Sequence, residues 1–260
     1  MPKKAVIKYT ILAIVLVFLI SGAVFFLYAA VAKTSESPQN FLVLGDSIAS
    51  GYGVEENEIY GKQVANNFGF IYQNYAAEGY DTQDLLAQMD LKEVRSAVRD
   101  ADIIELSIGG NNALNLPYAD MFSAAITGVD GNVIQDMVTE IETDLQTVLQ
   151  QIRTLNPDGI LLIQTLYNPF HGSSNPIYQV AENIMDELAP LINQKYEECA
   201  AQDDNTYIAD VYTAFEQQDN PSLLIAGDRV HPTAAGHALI ADVLTESLID
   251  LGFEPRSANT

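Results

Sequence analysis

The sequence predicts an α/β domain, a parallel sheet with helices covering both of its faces. Two observations carry that expectation. Five short runs between residues 40 and 211 are mostly near-continuously apolar, as strands covered on both sides must be. Longer stretches with helical periodicity lie between them, and strand–helix–strand alternation favours parallel pairing through right-handed crossovers. In such sheets, ligand sites form in the loops that follow the strands, near the point where strand order reverses.

The first strand is Phe41–Leu44, followed by Gly45-Asp46-Ser47-Ile48 and a small-residue loop, Ala49-Ser50-Gly51-Tyr52-Gly53. A helix over Ile59–Phe68 leads to the second strand, Phe70–Tyr75. Helices over Thr82–Met89 and Leu91–Val98 precede the third strand, Ile103–Ile108. The clearest helix is Ile134–Ile152, whose stripe Ile134, Met137, Val138, Ile141, Leu145, Val148, Leu149 and Ile152 repeats every 3.6 residues. The fourth strand is Ile160–Thr165. Ile177–Ala200 has a helical pattern, but Pro190 lacks an N–H and crowds the preceding turn, so a kink or division is expected there. The fifth strand is Tyr207–Val211. A last helix, Ala234–Leu251, buries Ile240, Val243, Leu244, Leu248 and Leu251 and exposes Asp242, Glu246 and Asp250.

Ahead of this domain, Met1–Lys8 carries Lys3, Lys4 and Lys8 and no acid, and Tyr9–Ala32 runs without a charge. As a helix that run would span about 36 Å, enough for a bilayer core of about 30 Å. Residues 1–32 are therefore expected to be an N-terminal transmembrane helix acting as a signal-anchor. Ala30-Val31-Ala32 also fits a signal-peptidase site, which leaves a cleaved signal as the alternative. Both leave the basic end inside and the rest of the chain outside, either at the cell membrane or secreted after cleavage at Ala32. Residues 33–39 read as a linker, 40–254 as the domain and 255–260 as a tail.

The charge of −23 is concentrated beyond the membrane segment, where nine basic residues face all 35 acidic ones. Nucleic acid and anionic membrane surfaces are excluded as partners by repulsion. The 48% apolar content excludes disorder. One cysteine, Cys199, excludes an intramolecular disulfide, and its helical setting reads as a small buried residue.

The loops after the strands hold the candidate chemistry. Ser47, in a glycine-rich turn at a strand end, can expose its hydroxyl as a nucleophile requires; the alternative is a turn in which Asp46 or Ser47 caps a helix. Gly79 offers an unhindered backbone N–H. Gly109-Gly110-Asn111-Asn112 combines close backbone approach with a neutral side-chain donor, the type needed where a carbonyl oxygen becomes negative. Asp228 precedes His231 by three residues and can orient its imidazole. His237 reads as a helix-face histidine, and His171 has no evident acidic partner. Nucleophile, base, orienter and oxyanion donors together are the parts of a serine hydrolase. Gly-x-Ser-x-Gly is missing, so an α/β-hydrolase nucleophile elbow is not the model. No run of His, Asp or Glu has metal-ligand spacing, and no cofactor is expected.

In this order, Gly45-Asp46-Ser47-Ile48, Gly79, Gly109-Gly110-Asn111 and Asp228-x-x-His231 resemble the four blocks of the SGNH (GDSL-type) hydrolases, over residues 40–251. Tyr167-Asn168-Pro169-Phe170 and the N-terminal anchor further resemble extracellular lipase/acylhydrolase members of Gram-positive bacteria. The resemblance implies a flavodoxin-like three-layer α/β/α sandwich with a five-stranded parallel sheet. It implies Ser47 as nucleophile, His231 as base and then acid, and Asp228 as its orienter. The implied oxyanion hole is the N–H groups of Ser47 and Gly79 with the Asn111 amide. Asn112 departs from the family, which often has Asp there; a changed loop hydrogen bond is the expected consequence.

The expected activity is carboxylic ester hydrolysis through an acyl-enzyme on Ser47. Short- to medium-chain acyl esters or lysophospholipids suit an exported enzyme, and deacetylation of cell-wall or extracellular sugars is the alternative. A non-catalytic binding module on the same fold is the reading from another class. Segments 113–131 and 166–178 are the expected pocket walls. Tyr80, Tyr118, Met121, Phe122, Tyr167 and Phe170 in or beside them serve either an acyl pocket or packing.

Overall fold

The structure, a computed structural model, describes residues 38–116, 131–172 and 175–256. The expected membrane segment lies outside the described residues, as do Tyr118, Met121 and Phe122. Among the described residues, no helix is long and apolar enough to cross a membrane.

A compact unit begins at Gln39. Strand β1 (Asn40–Gly45) leads into a one-turn helix α1 (Ser47–Ser50), then α2 (Tyr60–Phe68) and β2 (Ile71–Asn74). Helices α3 (Thr82–Gln88) and α4 (Lys92–Asp100) follow, then β3 (Ile103–Ser107) and the short α5 (Gly110–Leu114). Next come α6 (Asn132–Leu155), β4 (Ile160–Gln164), α7 (Pro176–Ala200) and β5 (Thr206–Ala209). The described chain closes with α8 (Val211–Glu216) and α9 (Ala234–Asp250).

The five strands pair in parallel in the order β2-β1-β3-β4-β5. Strand side chains alternate between two apolar layers, as the two-residue period of a strand demands. Leu42, Leu44, Ile104, Leu106, Leu161 and Ile163 face one layer, which takes in α3, α4, α6 and α7. Phe41, Val43, Ile103 and Leu162 face the other, which takes in α2, α8 and α9. The fold is thus the expected α/β sandwich with a five-stranded parallel sheet. Strand order reverses between β1 and β3, which puts their following loops at the switch point where ligands bind in open parallel sheets.

The elements differ from expectation in five places. Ala49 and Ser50 are helical rather than loop, because the Asp46 carboxylate accepts the Ile48 N–H at 2.9 Å and caps α1. Val211 begins a helix rather than ending β5, since Asp210 accepts the Thr213 N–H at 3.0 Å. β2 is an edge strand with Ile71 exposed rather than a run buried on both faces. Helix α7 is not divided at Pro190; Leu188, Ala189, Ile192 and Tyr196 all bury against the core and hold both halves to it. In α9, Val243 and Leu251 are half-buried at the edge of the core rather than within it. Cys199 is buried in α7, which pushes its thiol up to about 11, as suits a packing residue.

Candidate active site

The site is built from the loops after β1, β2, β3 and the one before α9. β1 ends in Gly45, whose φ of +144° is one that side chains rarely adopt; a Cβ there would collide with the Ser107 carbonyl oxygen. The Asp46 N–H donates to that same oxygen at 3.0 Å. This close approach of β1 and β3 starts α1 directly at the sheet end, with Ser47 as its first residue.

Ser47 Oγ lies 2.9 Å from Nε2 of His231, and His231 Nδ1 lies 2.8 Å from Oδ2 of Asp228. Burial pushes the Asp228 carboxyl up, but hydrogen bonds from the His231 ring and from the N–H groups of Val230 and His231 outweigh it. The carboxyl is held below its ordinary range. An ionised carboxylate only accepts, so Nδ1 carries the imidazole proton and Nε2 presents its lone pair to Ser47. The three-residue Asp–His spacing works because the chain folds into a tight turn. Asp228 Oδ1 accepts the N–H groups of Val230 and His231 at 3.0 and 3.1 Å, leaving Oδ2 for the ring. Arg229 takes a left-handed φ of 63° to make that turn. The Tyr167 hydroxyl donates to Val230 O at 2.7 Å and fastens it from the sheet side.

Gly79 sits in the loop after β2 with φ +78°, in open space. Asn111 lies in the first turn of α5 after β3; its Nδ2 donates to Tyr80 O at 2.8 Å, which aims the amide and leaves its second proton uncommitted. Asn112, at the departure from the family pattern, accepts the Thr82 N–H at 3.2 Å and donates to Thr82 Oγ1 at 2.9 Å. The candidate positions therefore fall at the carboxyl edge of the sheet, where Ser47, His231 and Asp228 are in contact and Asn111 reaches the segment that follows Gly79.

Below Ser47, on the α2/α9 side, the core contains ionisable groups. Tyr60 donates its hydroxyl to Glu105 on β3 at 2.8 Å. Burial raises Glu105 to about 8 and Asp46 to about 7. Asp46 is spent on capping α1. His237 is fully buried rather than on an exposed helix face, and burial lowers it to about 4.

Two expectations about surrounding residues change. His171 does have acidic partners, Glu216 at 3.2 Å and Glu182 at 3.8 Å, brought from distant helices. His171, Asp186 and Glu216 place ligand atoms within 4.8 Å of one another, a grouping that linear spacing could not reveal. Tyr167 packs rather than lining an acyl pocket: it is buried, with its ring stacked on Phe215 at 4.3 Å. Sequence reasoning also missed Tyr52, whose ring lies 4.4 Å from that of His231 and stays 44% exposed. Tyr52 lines an open cleft with Ser50, Gly51, Gly53, Ala76, Ala77 and Glu78.

Residues 43–239 match the model of the GDSL-like Lipase/Acylhydrolase family. The uncharacterized protein YpmR of Bacillus subtilis (strain 168) is 25% identical over 205 residues, covering 76% of this chain and 76% of that protein. The lipase Lip_vut3 from a goat rumen metagenome shares the fold with a TM-score of 0.62 at 19% identity, over 83% of this chain and 98% of its own. An acetylxylan esterase from Geobacillus stearothermophilus shares it with a TM-score of 0.55 at 21% identity, over 83% and 95%.

Proposed function

The chain belongs to the GDSL-like lipase/acylhydrolase family, and from that premise we propose that it hydrolyses carboxylic esters through an acyl-enzyme on Ser47. The observation that carries this reading is the Ser47–His231–Asp228 chain, with contacts of 2.9 and 2.8 Å and a proton placed on Nδ1 by the carboxylate. His231 Nε2 takes the Ser47 proton as Oγ attacks the ester carbonyl, and Asp228 stabilises the imidazolium that forms. The tetrahedral oxyanion is met by the N–H groups of Ser47 and Gly79, neither of which has another partner among the described residues, and by the free Asn111 amide proton. His231 returns the proton to the leaving alcohol. It then takes one from water, which attacks the acyl carbonyl, and gives it to Ser47 Oγ as the acyl–oxygen bond breaks and the acid leaves.

Short- to medium-chain acyl esters or lysophospholipids are the proposed substrates. A second reading, O-acetyl ester hydrolysis on carbohydrate, is favoured by the cleft that Tyr52 lines next to His231: most of its lining residues are small, and Tyr52 offers an exposed ring of the kind on which a sugar stacks. The N-terminal segment is proposed as the signal-anchor that holds the domain outside the cell, with 33–39 as linker, 40–254 as domain and 255–260 as tail. Fractionation of the full chain tests this: a shortened form in the medium contradicts the anchor.

The activity test is a panel of p-nitrophenyl esters of increasing acyl length, a lysophospholipid and an acetylated xylo-oligosaccharide. Each is run with wild type and Ser47→Ala. Turnover that Ser47→Ala removes supports the reading, and the preferred acyl group chooses between the substrate classes. Turnover retained by Ser47→Ala contradicts the role of Ser47, and no turnover with any ester favours a binding module.

A further inference from the structure

Behind the proposed oxyanion donors lies a hydrogen-bonded chain that the reaction as described does not use. Thr82 donates its hydroxyl proton to Asp144 Oδ2 at 2.6 Å. The Thr82 hydroxyl oxygen itself accepts Nδ2–H of Asn112 at 2.9 Å, and the Thr82 N–H returns to Asn112 Oδ1 at 3.2 Å. Gln83 Nε2 lies 2.8 Å from each Asp144 oxygen. Thr82 is 1% and Asp144 5% exposed, so water is a poor substitute for these partners.

We propose that Asn112, Thr82 and Asp144 form a positioning lock for the two loop donors, Gly79 and Asn111. The lock requires one acid and one amide at positions 112 and 144. The inference rests on reading Gly79 and Asn111 as oxyanion donors. Asn111 holds Tyr80 and Asn112 holds Thr82, so two consecutive residues after β3 grip the segment that starts at Gly79. Asp144 anchors that grip to α6, whose neighbouring Ile141, Leu145 and Val148 are buried in the core. The separation of the two donors is thereby tied to a 24-residue helix rather than to loops alone.

Proton directions make the arrangement exclusive. A carboxylate at 144 can only accept, so Thr82 must donate to it, and the Thr82 oxygen must then be met by a donor. Asn112 supplies that donor. An acid at 112 would set a second acceptor and a second negative charge against the single Thr82 proton, and the segment bearing Gly79 would be pushed off α5. With Asp at 112 and Asn at 144, every partner is again matched, with the proton of Thr82 pointing the other way.

A double-mutant cycle on the full chain tests this, with p-nitrophenyl acetate turnover and Tm read together. Asn112→Asp alone is expected to lower kcat about ten-fold with KM changed by less than about two-fold, because the donors act on the transition state. In the Asp144→Asn background the same substitution is expected to change kcat by less than about three-fold. Should Asn112→Asp fail to fold, recovery of both folding and turnover in the double variant is the same prediction. An equal kcat loss in both backgrounds, or no loss in either, overturns the lock while wild-type turnover stands. A wild type without esterase activity overturns both the lock and the reading it rests on.

Discussion

Ser47, His231 and Asp228 meet through two direct side-chain contacts, whereas Gly79 and Asn111 are fastened through Tyr80, Thr82, Asn112 and Asp144. The two halves of the site also lean on opposite faces of the sheet. His231 precedes α9, and the proton-transferring half sits over the layer that holds Tyr60, Glu105 and His237. The proposed oxyanion half is backed by Asp144 on α6, in the layer of α3, α4, α6 and α7. On the proposed reading, the proton-transferring residues are held by two contacts and one tight turn, while the two proposed donors on separate loops are tied to an outside helix.

Substitutions can break this comparison in order of size. Ser47→Ala removes the nucleophile and is expected to lower kcat by about 10⁵-fold or more, with Tm little changed. Asp228→Asn keeps the shape of the turn but no longer fixes the proton on Nδ1. Its expected loss is roughly 10²–10⁴ in kcat. Asn111→Ala strikes the other half and is expected to lower kcat by about 10²–10³-fold with KM nearly constant. A change confined to KM in that variant would show that Asn111 binds substrate without meeting the oxyanion. Steady-state kinetics on one ester separates all three.

The smallest effect is on stability and belongs to the layer beneath Ser47. Glu105 and Asp46 have folded values of about 8 and 7, above their ordinary values of 4.5 and 3.8, so the folded chain holds protons that the unfolded chain has released. Their contribution is fully present below the ordinary carboxylate values and is lost as pH rises through 7 and 8. His237, lowered from 6.5 to about 4, runs the other way: its contribution is present above 6.5 and lost as pH falls through 4. Between pH 6.5 and 8 only the two acids act, and unfolding free energy is expected to fall by on the order of 2 kcal/mol. Glu105→Gln, which keeps an acceptor for Tyr60, is expected to remove most of that slope in urea titrations. An unchanged slope would mean that Glu105 is ionised inside the fold.

Much of the fold was readable because strands buried on both faces are continuous apolar runs and α6 carries a clean 3.6-residue stripe. Val211 was misread, and the helix it starts went unread, because Val211 prolongs an apolar run; the stop comes from Asp210 capping that helix, a choice between two local patterns that only tertiary packing decides. The residues proposed for chemistry were readable since all lie just after strands or at the start of a helix, in turn-forming sequence. Their supports were not. Asp144 left one signal, an acid at a buried phase of the stripe between Ile141 and Leu145, but its partner Thr82 is 62 residues away. His171 and Glu216 are brought together only by the packing of α8 near the loop after β4. Tyr52 looked like part of a small-residue loop, and its place over His231 depends on a residue far along the chain.

The central claim is that Ser47 is activated by His231 within the folded chain. Reaction of the native protein with a fluorophosphonate, followed by peptide mass mapping, tests it most directly. The account predicts a single adduct on Ser47, absent after unfolding in urea and strongly slowed in Asp228→Asn. A native protein that hydrolyses esters while its adduct lies on another residue, or that takes no label at all, would contradict it.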